Sequence, residues 1–194
     1  NLIDMIADED MVVTMSHAGY VKRNPVSEYR AQRRGGRGVT GASTKEEDFV
    51  TSLFVASTHD YLLMFTSLGR AFSKRVYEIP EGSRGARGKA LVNLLELRDG
   101  ERVVAVLPVK SLEDEPGTTR FLLFATRKGQ VKKTELSAYA NIRSSGIIAL
   151  GIDEGDQLLG VRITDGTRHV LLASQNGFAV RFAEELVRPM GRAA

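Results

Sequence analysis

Four glycines, Gly19, Gly69, Gly129 and Gly177, each separate two short β-prone runs, and they recur at spacings of 50, 60 and 48 residues. The runs ahead of them are Met11–Met15, Tyr61–Phe65, Phe121–Ala125 and His169–Ala173. The runs behind them end in base, at Lys22-Arg23, Lys74-Arg75, Lys132-Lys133 and Arg181. Short strands around a polar turn with glycine read as β-hairpins. A repeat of this length cannot bury its own apolar face and must stack on its neighbours. About 14 or 15 residues past each glycine comes a second glycine or basic element. These are Arg34-Gly35-Gly36, Arg84-Gly85-Ala86-Arg87-Gly88, Arg143-Ser144-Ser145-Gly146 and Met190-Gly191-Arg192.

Further strand candidates fill the gaps. Leu91–Leu95 and Val103–Val109 flank Asp99-Gly100, and Ile147–Leu150 and Leu158–Ile163 flank Glu154-Gly155. Such dipeptides between apolar runs are a strong short-range hairpin signal. Phe49–Val55, preceded by Glu46-Glu47-Asp48, takes the corresponding place in the first repeat. No segment carries a long 3.6-residue apolar period. The expectation is an all-β, propeller-like array of four-stranded blades, about four repeats, with residues 1–194 as one domain.

Charge alternates in step with the repeat. Residues 20–45 carry seven bases against one acid, and residues 46–61 carry four acids and no base. The net swings again to +4 over 69–90, −3 over 91–119 and +4 over 127–143. If equivalent segments take equivalent places, the bases form a stripe along one side and the acidic turns lie on the other. Glycine lets backbone approach another surface closely, and arginine presents a planar donor fork suited to phosphate. Basic, glycine-rich turns repeated in this way point to a polyanion.

Other chemistry finds little support. There is no cysteine, so disulfides and thiolate metal sites are excluded and a reducing compartment fits. No apolar run approaches the roughly 20 residues of a membrane helix. Gly36-Arg37-Gly38-Val39-Thr40-Gly41 matches a dinucleotide-binding pattern, but no buried strand precedes it and no amphipathic helix follows. His17, His59 and His169 lack metal-ligand spacing. Asp153-Glu154-Gly155-Asp156 reads as an acidic turn and not a calcium loop. Tyr29 and Tyr77 recur at matching places, as packing residues or as stacking partners for bases.

The stretch Gln32-Arg33-Arg34-Gly35-Gly36-Arg37-Gly38 resembles the seven-residue box that marks the C-terminal domain of the DNA gyrase A subunit. Arg37 stands where the family has Lys, which conserves charge. The flanks Ile6–Thr14 and Gly19-Tyr20-Val21-Lys22-Arg23 resemble the family too, as do Arg84–Gly88 and Gly129–Thr134. The resemblance implies a β-pinwheel whose neighbouring blades exchange strands, with no cofactor in this domain. It implies duplex DNA as the partner, bound with little sequence preference and bent around a basic rim. Gln32, Arg33, Arg34, Gly35, Gly36, Arg37 and Gly38 would form the box. Lys22, Arg23, Lys74, Arg75, Arg84, Arg87, Lys89, Lys132, Lys133, Arg143 and Arg181 would form the rim.

In the family, cleavage and ATP hydrolysis belong elsewhere, so the gyrase B subunit, the N-terminal cleavage domain, ATP and Mg²⁺ are implied for the holoenzyme. A cytoplasmic, nucleoid-associated site is implied with them. The family domain generally has six blades. With four hairpin repeats, no initiator Met and a last residue soon after Pro189-Met190-Gly191-Arg192, the expectation is an excised piece, open or incomplete at its C-terminal end. Two other readings stay open: a topoisomerase IV-type C-terminal domain, whose box is degenerate or missing, and a propeller-like protein-interaction module.

Overall fold

A computed structural model describes residues 2–29 and 48–194. These residues are built almost entirely of strands joined by turns and single 3-10 turns. In order they are β1 (Asp10–Ser16), β2 (Tyr20–Pro25), β3 (Val50–Ser57), β4 (Tyr61–Thr66), β5 (Arg70–Arg75) and β6 (Lys89–Ala90). Then follow β7 (Val103–Val109), β8 (Phe121–Thr126), β9 (Val131–Glu135), β10 (Ile147–Ile148), β11 (Leu158–Thr164), β12 (His169–Ala173) and β13 (Ala179–Ala183).

Each of the four glycines turns a hairpin, with φ of 84° at Gly19, 77° at Gly69, 89° at Gly129 and 84° at Gly177. A side chain at such φ is strained, so glycine is the residue for this place. The turns share a second device three residues before the glycine, where a hydroxyl accepts from the N–H that opens the return strand. Ser16 accepts from Tyr20 (3.2 Å), Thr66 from Arg70 (3.2 Å), Thr126 from Gln130 (3.1 Å) and Ser174 from Phe178 (3.2 Å).

The hairpins assemble into four sheets, ordered β3-β1-β2-β6, β10-β5-β4-β7, β11-β8-β9 and β12-β13. The long outer strand of each of the first three sheets comes from its own repeat. The two-residue strand on the other side comes from the repeat that follows: β6 pairs with β2 at Tyr20 and Val21, and β10 with β5 at Arg70 and Ala71. Neighbouring sheets therefore exchange strands. The hairpins anticipated across Asp99-Gly100 and Glu154-Gly155 do not form. β6 and β7 flank the first turn yet belong to different sheets, as do β10 and β11 at the second.

Leu91–Leu95 is likewise not a strand. Leu91–Asn93 is a 3-10 turn, with the Leu94 and Leu95 N–H groups both donating to Leu91 O. Leu91 and Leu95 thereby point one way and fill the core between the first two sheets. The apolar content of the run signals burial for Leu91 and Leu95, while Val92 is exposed. The run's i, i+4 spacing serves a helical turn.

The second sheet is covered on both faces. Leu62 and Met64 of β4 pack toward the first sheet, with Met11, Val13, Met15 and Phe72. Leu63 and Phe65 pack toward the third, with Leu122, Phe124, Leu136 and Tyr139. Period-2 alternation with both faces buried accounts for the unbroken apolar run Tyr61–Phe65. Phe65 meets Phe124 edge-on at 5.5 Å and Tyr139 at 6.1 Å. We expect Phe65→Ala to cost about 3–5 kcal/mol, read as a lower urea midpoint with the transition still cooperative.

Candidate nucleic-acid interface

The basic loops are built by strand exchange. Beyond the second hairpin the chain runs back along β2: Arg23 N–H donates to Pro80 O (3.1 Å), and Gly82 N–H donates to Arg23 O (3.1 Å). Residues 83–87 then leave the sheet, and Lys89-Ala90 rejoin it opposite Val21 and Tyr20. Gly88, at φ 92°, makes the return possible, since a Cβ there would lie 2.5 Å from Val21 O. The loop Arg143–Gly146 sits the same way over β5, with Gly146 against the Phe72 ring. The stretch Pro189–Ala194 lies along β9, where Met190 N–H donates to Lys133 O (2.8 Å).

The eleven rim candidates separate on this frame. Arg84, Lys89, Arg143 and Arg181 are exposed. Arg87 is half-buried, its guanidinium 3.6 Å from the Tyr20 ring centroid. Lys74 faces Glu78 at 3.4 Å. Arg75 stacks 3.5 Å over Tyr61 and donates to His59 O (2.6 Å). Arg23 donates to Ile79 O (2.7 Å) and faces Glu81 at 3.4 Å.

Three lysines do not lie on an open rim. Lys22 is buried, with Nζ on Ser83 O (2.9 Å) and Arg84 O (2.5 Å). Lys132 is buried, with Nζ on Arg192 O (2.7 Å) and Ala194 O (2.8 Å). Lys133 Nζ donates to Glu184 O (3.0 Å) beside the Phe121 ring. Burial holds the Lys22 and Lys132 ammonium groups below the ordinary lysine range, with nearby Glu28 raising Lys22 and Arg192 lowering Lys132 further. Each of the three stands where sequence alone promised a surface base; the incoming loop covers Lys22 and Lys132, and the 3-10 turn after β13 covers Lys133. The box, Gln32–Gly38, lies outside the described residues.

The acids are not segregated from the bases either. Two residues before each outer strand stands an acid, Asp48, Glu101 or Asp156, and each bonds to the neighbouring hairpin, Asp48 and Asp156 by capping its turn. Asp48 accepts from Ala18 N–H (2.8 Å) and Asp156 from Lys128 N–H (2.9 Å). Glu101, its side chain fully buried, takes both its bonds from Arg70 (2.8 and 3.1 Å). Burial pushes the Asp48 and Asp156 carboxyls up. Donors outweigh it: Ala18 N–H, the Ser16 hydroxyl and Phe49 N–H for Asp48, and the Thr126 hydroxyl, Gln157 N–H and Lys128 N–H for Asp156. Both carboxyls end below the ordinary range.

Tyr20 and Arg70 were missed as partners of the basic loops, and Tyr61 as the partner of Arg75 within its own hairpin. A signal existed, since Tyr20 and Arg70 both follow a turn glycine directly. Of the histidines considered as metal ligands, His17 stacks on Phe49 at 4.8 Å, and His59 Nε2 lies 2.7 Å from Ile6 O. Tyr29 and Tyr77 are both half-buried, and burial pushes the Tyr29 phenol up. Among the described residues, no helix is long and apolar enough to cross a membrane.

Strand-exchanged sheets in series, each presenting a basic loop laid on the hairpin before it, define a β-pinwheel of the propeller class. The family model described as DNA gyrase C-terminal domain, beta-propeller, matches residues 10–57, 60–110, 120–165 and 168–194, and the chain belongs to this family. The DNA gyrase A subunit of Haemophilus influenzae is 50% identical over all 194 residues, which span 22% of that relative. Its counterpart in Escherichia coli is 51% identical over 191 residues, 21% of its length. The chain thus spans about a fifth of the curated relatives it matches. A solved C-terminal domain of DNA topoisomerase IV superposes with a TM-score of 0.80 at 30% identity, covering 97% of this chain and 56% of that one. A solved DNA gyrase A C-terminal domain gives 0.72 at 25%, covering 95% and 58%.

Because the folded Asp156 carboxyl titrates below its unfolded value of about 3.9, its contribution is present above that pH and is lost as pH falls through the folded value. Asp156→Ala should therefore melt lower than the parent at pH 7. The gap should narrow at pH 3, as read by thermal unfolding at the two pH values.

Proposed function

We propose that this chain binds duplex DNA through the loops carried on its exchanged strands and bends it around the pinwheel. The observation that supports the reading most is the repeated placement of Arg84, Arg87 and Lys89 over the first sheet and Arg143 over the second, in a chain of the gyrase C-terminal family. Phosphate contacts of this kind give affinity without sequence preference. Bending a short site by 40–90° costs roughly 1–6 kcal/mol, so several loops must engage together. The box, Gln32–Gly38, supplies the contact that holds the wrap. In the longer protein the wrapped segment is delivered to the N-terminal cleavage domain. Together with the gyrase B subunit, ATP and Mg²⁺, it supports negative supercoiling at the bacterial nucleoid.

Titration of duplexes of unrelated sequence across a salt series tests the binding. We expect little preference among sequences. Replacing Arg84 and Arg143 with Ala should make the log K against log salt slope shallower by about 0.9 for each phosphate no longer neutralised. A flat salt response in the parent chain would refute the reading.

Arg33→Ala, Arg34→Ala and Arg37→Ala combined should reduce bending, read by end-to-end FRET on a labelled duplex, far more than affinity read by gel shift. Equal losses would make the box one more phosphate contact. They would favour a topoisomerase IV-type domain that binds without a full wrap, which the similarity to that solved domain keeps in view.

A further inference from the structure

Each incoming loop is held through its main-chain carbonyls by a cation from the hairpin beneath it. Lys22 holds Ser83 O and Arg84 O; Lys132 holds Arg192 O and Ala194 O. In the second repeat the task falls to Arg70, whose guanidinium donates to Ser145 O and is itself fixed by Glu101. Lys22 and Lys132 both stand three residues past the turn glycine. The second repeat has Phe72 at that place, packed under Gly146. A buried ammonium has three donors and no rotamer freedom to spare, so it ties the carbonyls it touches to one geometry.

The Arg84 carbonyl is the peptide oxygen of a residue whose own side chain is exposed, and Ala86 N–H closes the loop on Ser83 O (3.0 Å). Arg87, three residues on, lies on the Tyr20 ring. Main chain pinned at 83–84, a closed turn and a stacked guanidinium set the direction in which Arg84 and Arg87 leave the sheet.

We propose that Lys22 is a positioning residue for DNA binding: it makes no phosphate contact itself and aims the Arg84–Arg87 loop from below. The proposal rests on the loop's role given under the proposed function. Lys22 thus turns from a surface contact into a pedestal, and Lys132 repeats the device further along the chain.

The test is a double-mutant cycle in the 194-residue chain. Lys22→Met is compared with the parent, and then again in the background Arg84→Ala/Arg87→Ala. Affinity for a duplex should fall by about fivefold in the first comparison and hardly change in the second, since the side chains being aimed are gone. Equal losses in both backgrounds would mean that Lys22 touches phosphate directly and would overturn the proposal. So would an unchanged affinity in the first comparison, which a merely structural lysine would give. Phe72 in the equivalent place shows that an apolar side chain is accommodated there. Should Lys22→Met not fold, Lys22→Gln keeps an uncharged amide with two donors on a shorter side chain and serves the same cycle.

Amide exchange reads the pedestal without DNA. The Ala86 N–H should exchange at least fivefold faster in the Lys22 variant, while Tyr61–Phe65 stays protected. Unchanged exchange at Ala86 overturns the proposal whatever the DNA result. Faster exchange together with a parent that does not bind duplex would leave the pedestal standing and refute the DNA reading.

Discussion

The first two sheets depend on a backbone pairing only two residues long. Lys89-Ala90 against Val21 and Tyr20, and Ile147-Ile148 against Ala71 and Arg70, carry the second and third repeats onto the hairpin before each. A hairpin left alone has an unpaired edge and an unburied face. The exchanged strand closes the edge and brings with it the residues that close the core, such as Leu91 and Leu95 from the second repeat. It also brings the basic loop. Stability and surface chemistry arrive on one segment, so a sheet cannot be completed without presenting that loop.

The buried cations follow from the same geometry. When the incoming chain leaves the sheet at residues 83–87, carbonyls are turned toward β2 with no ladder partner. A buried acceptor without a donor is costly, and a charged donor serves it better than a neutral one. Lys22, Lys132 and Arg70 meet this need. Burial disfavours the charge on the two lysines, and the carbonyls compensate. The acids answer the matching need at the hairpin turns, where the N–H groups of Ala18 and Lys128 find Asp48 and Asp156. Charge alternation along the chain is thus partly a record of backbone satisfaction and only partly a surface pattern.

Both roles can coexist in one loop. Arg84 has its carbonyl in the interior and its side chain in solvent, so the same residue belongs to the frame and to the surface. Arg75 shows the other outcome, with its guanidinium committed to Tyr61 and the His59 carbonyl.

By itself the sequence determined the hairpins, because four glycines recur along the chain, each between a β-prone run and a short run ending in base, and all four turn where Gly19, Gly69, Gly129 and Gly177 stand. It determined the all-β class through the absence of a helical period, and the burial of Tyr61–Phe65 through its unbroken apolar character. Strand exchange entered only through family resemblance, and the tertiary structure decided which strand pairs with which. Asp99-Gly100 looks like a hairpin turn, yet β6 finds its backbone partners on β2 and not on β7. Which basic residues face solvent was likewise a tertiary decision. Lys22 and Arg84 have the same charge, but one lies under the loop and the other on it. Only the path of a chain segment some 60 residues away, read from Lys22 Nζ to the Ser83 carbonyl, separates them.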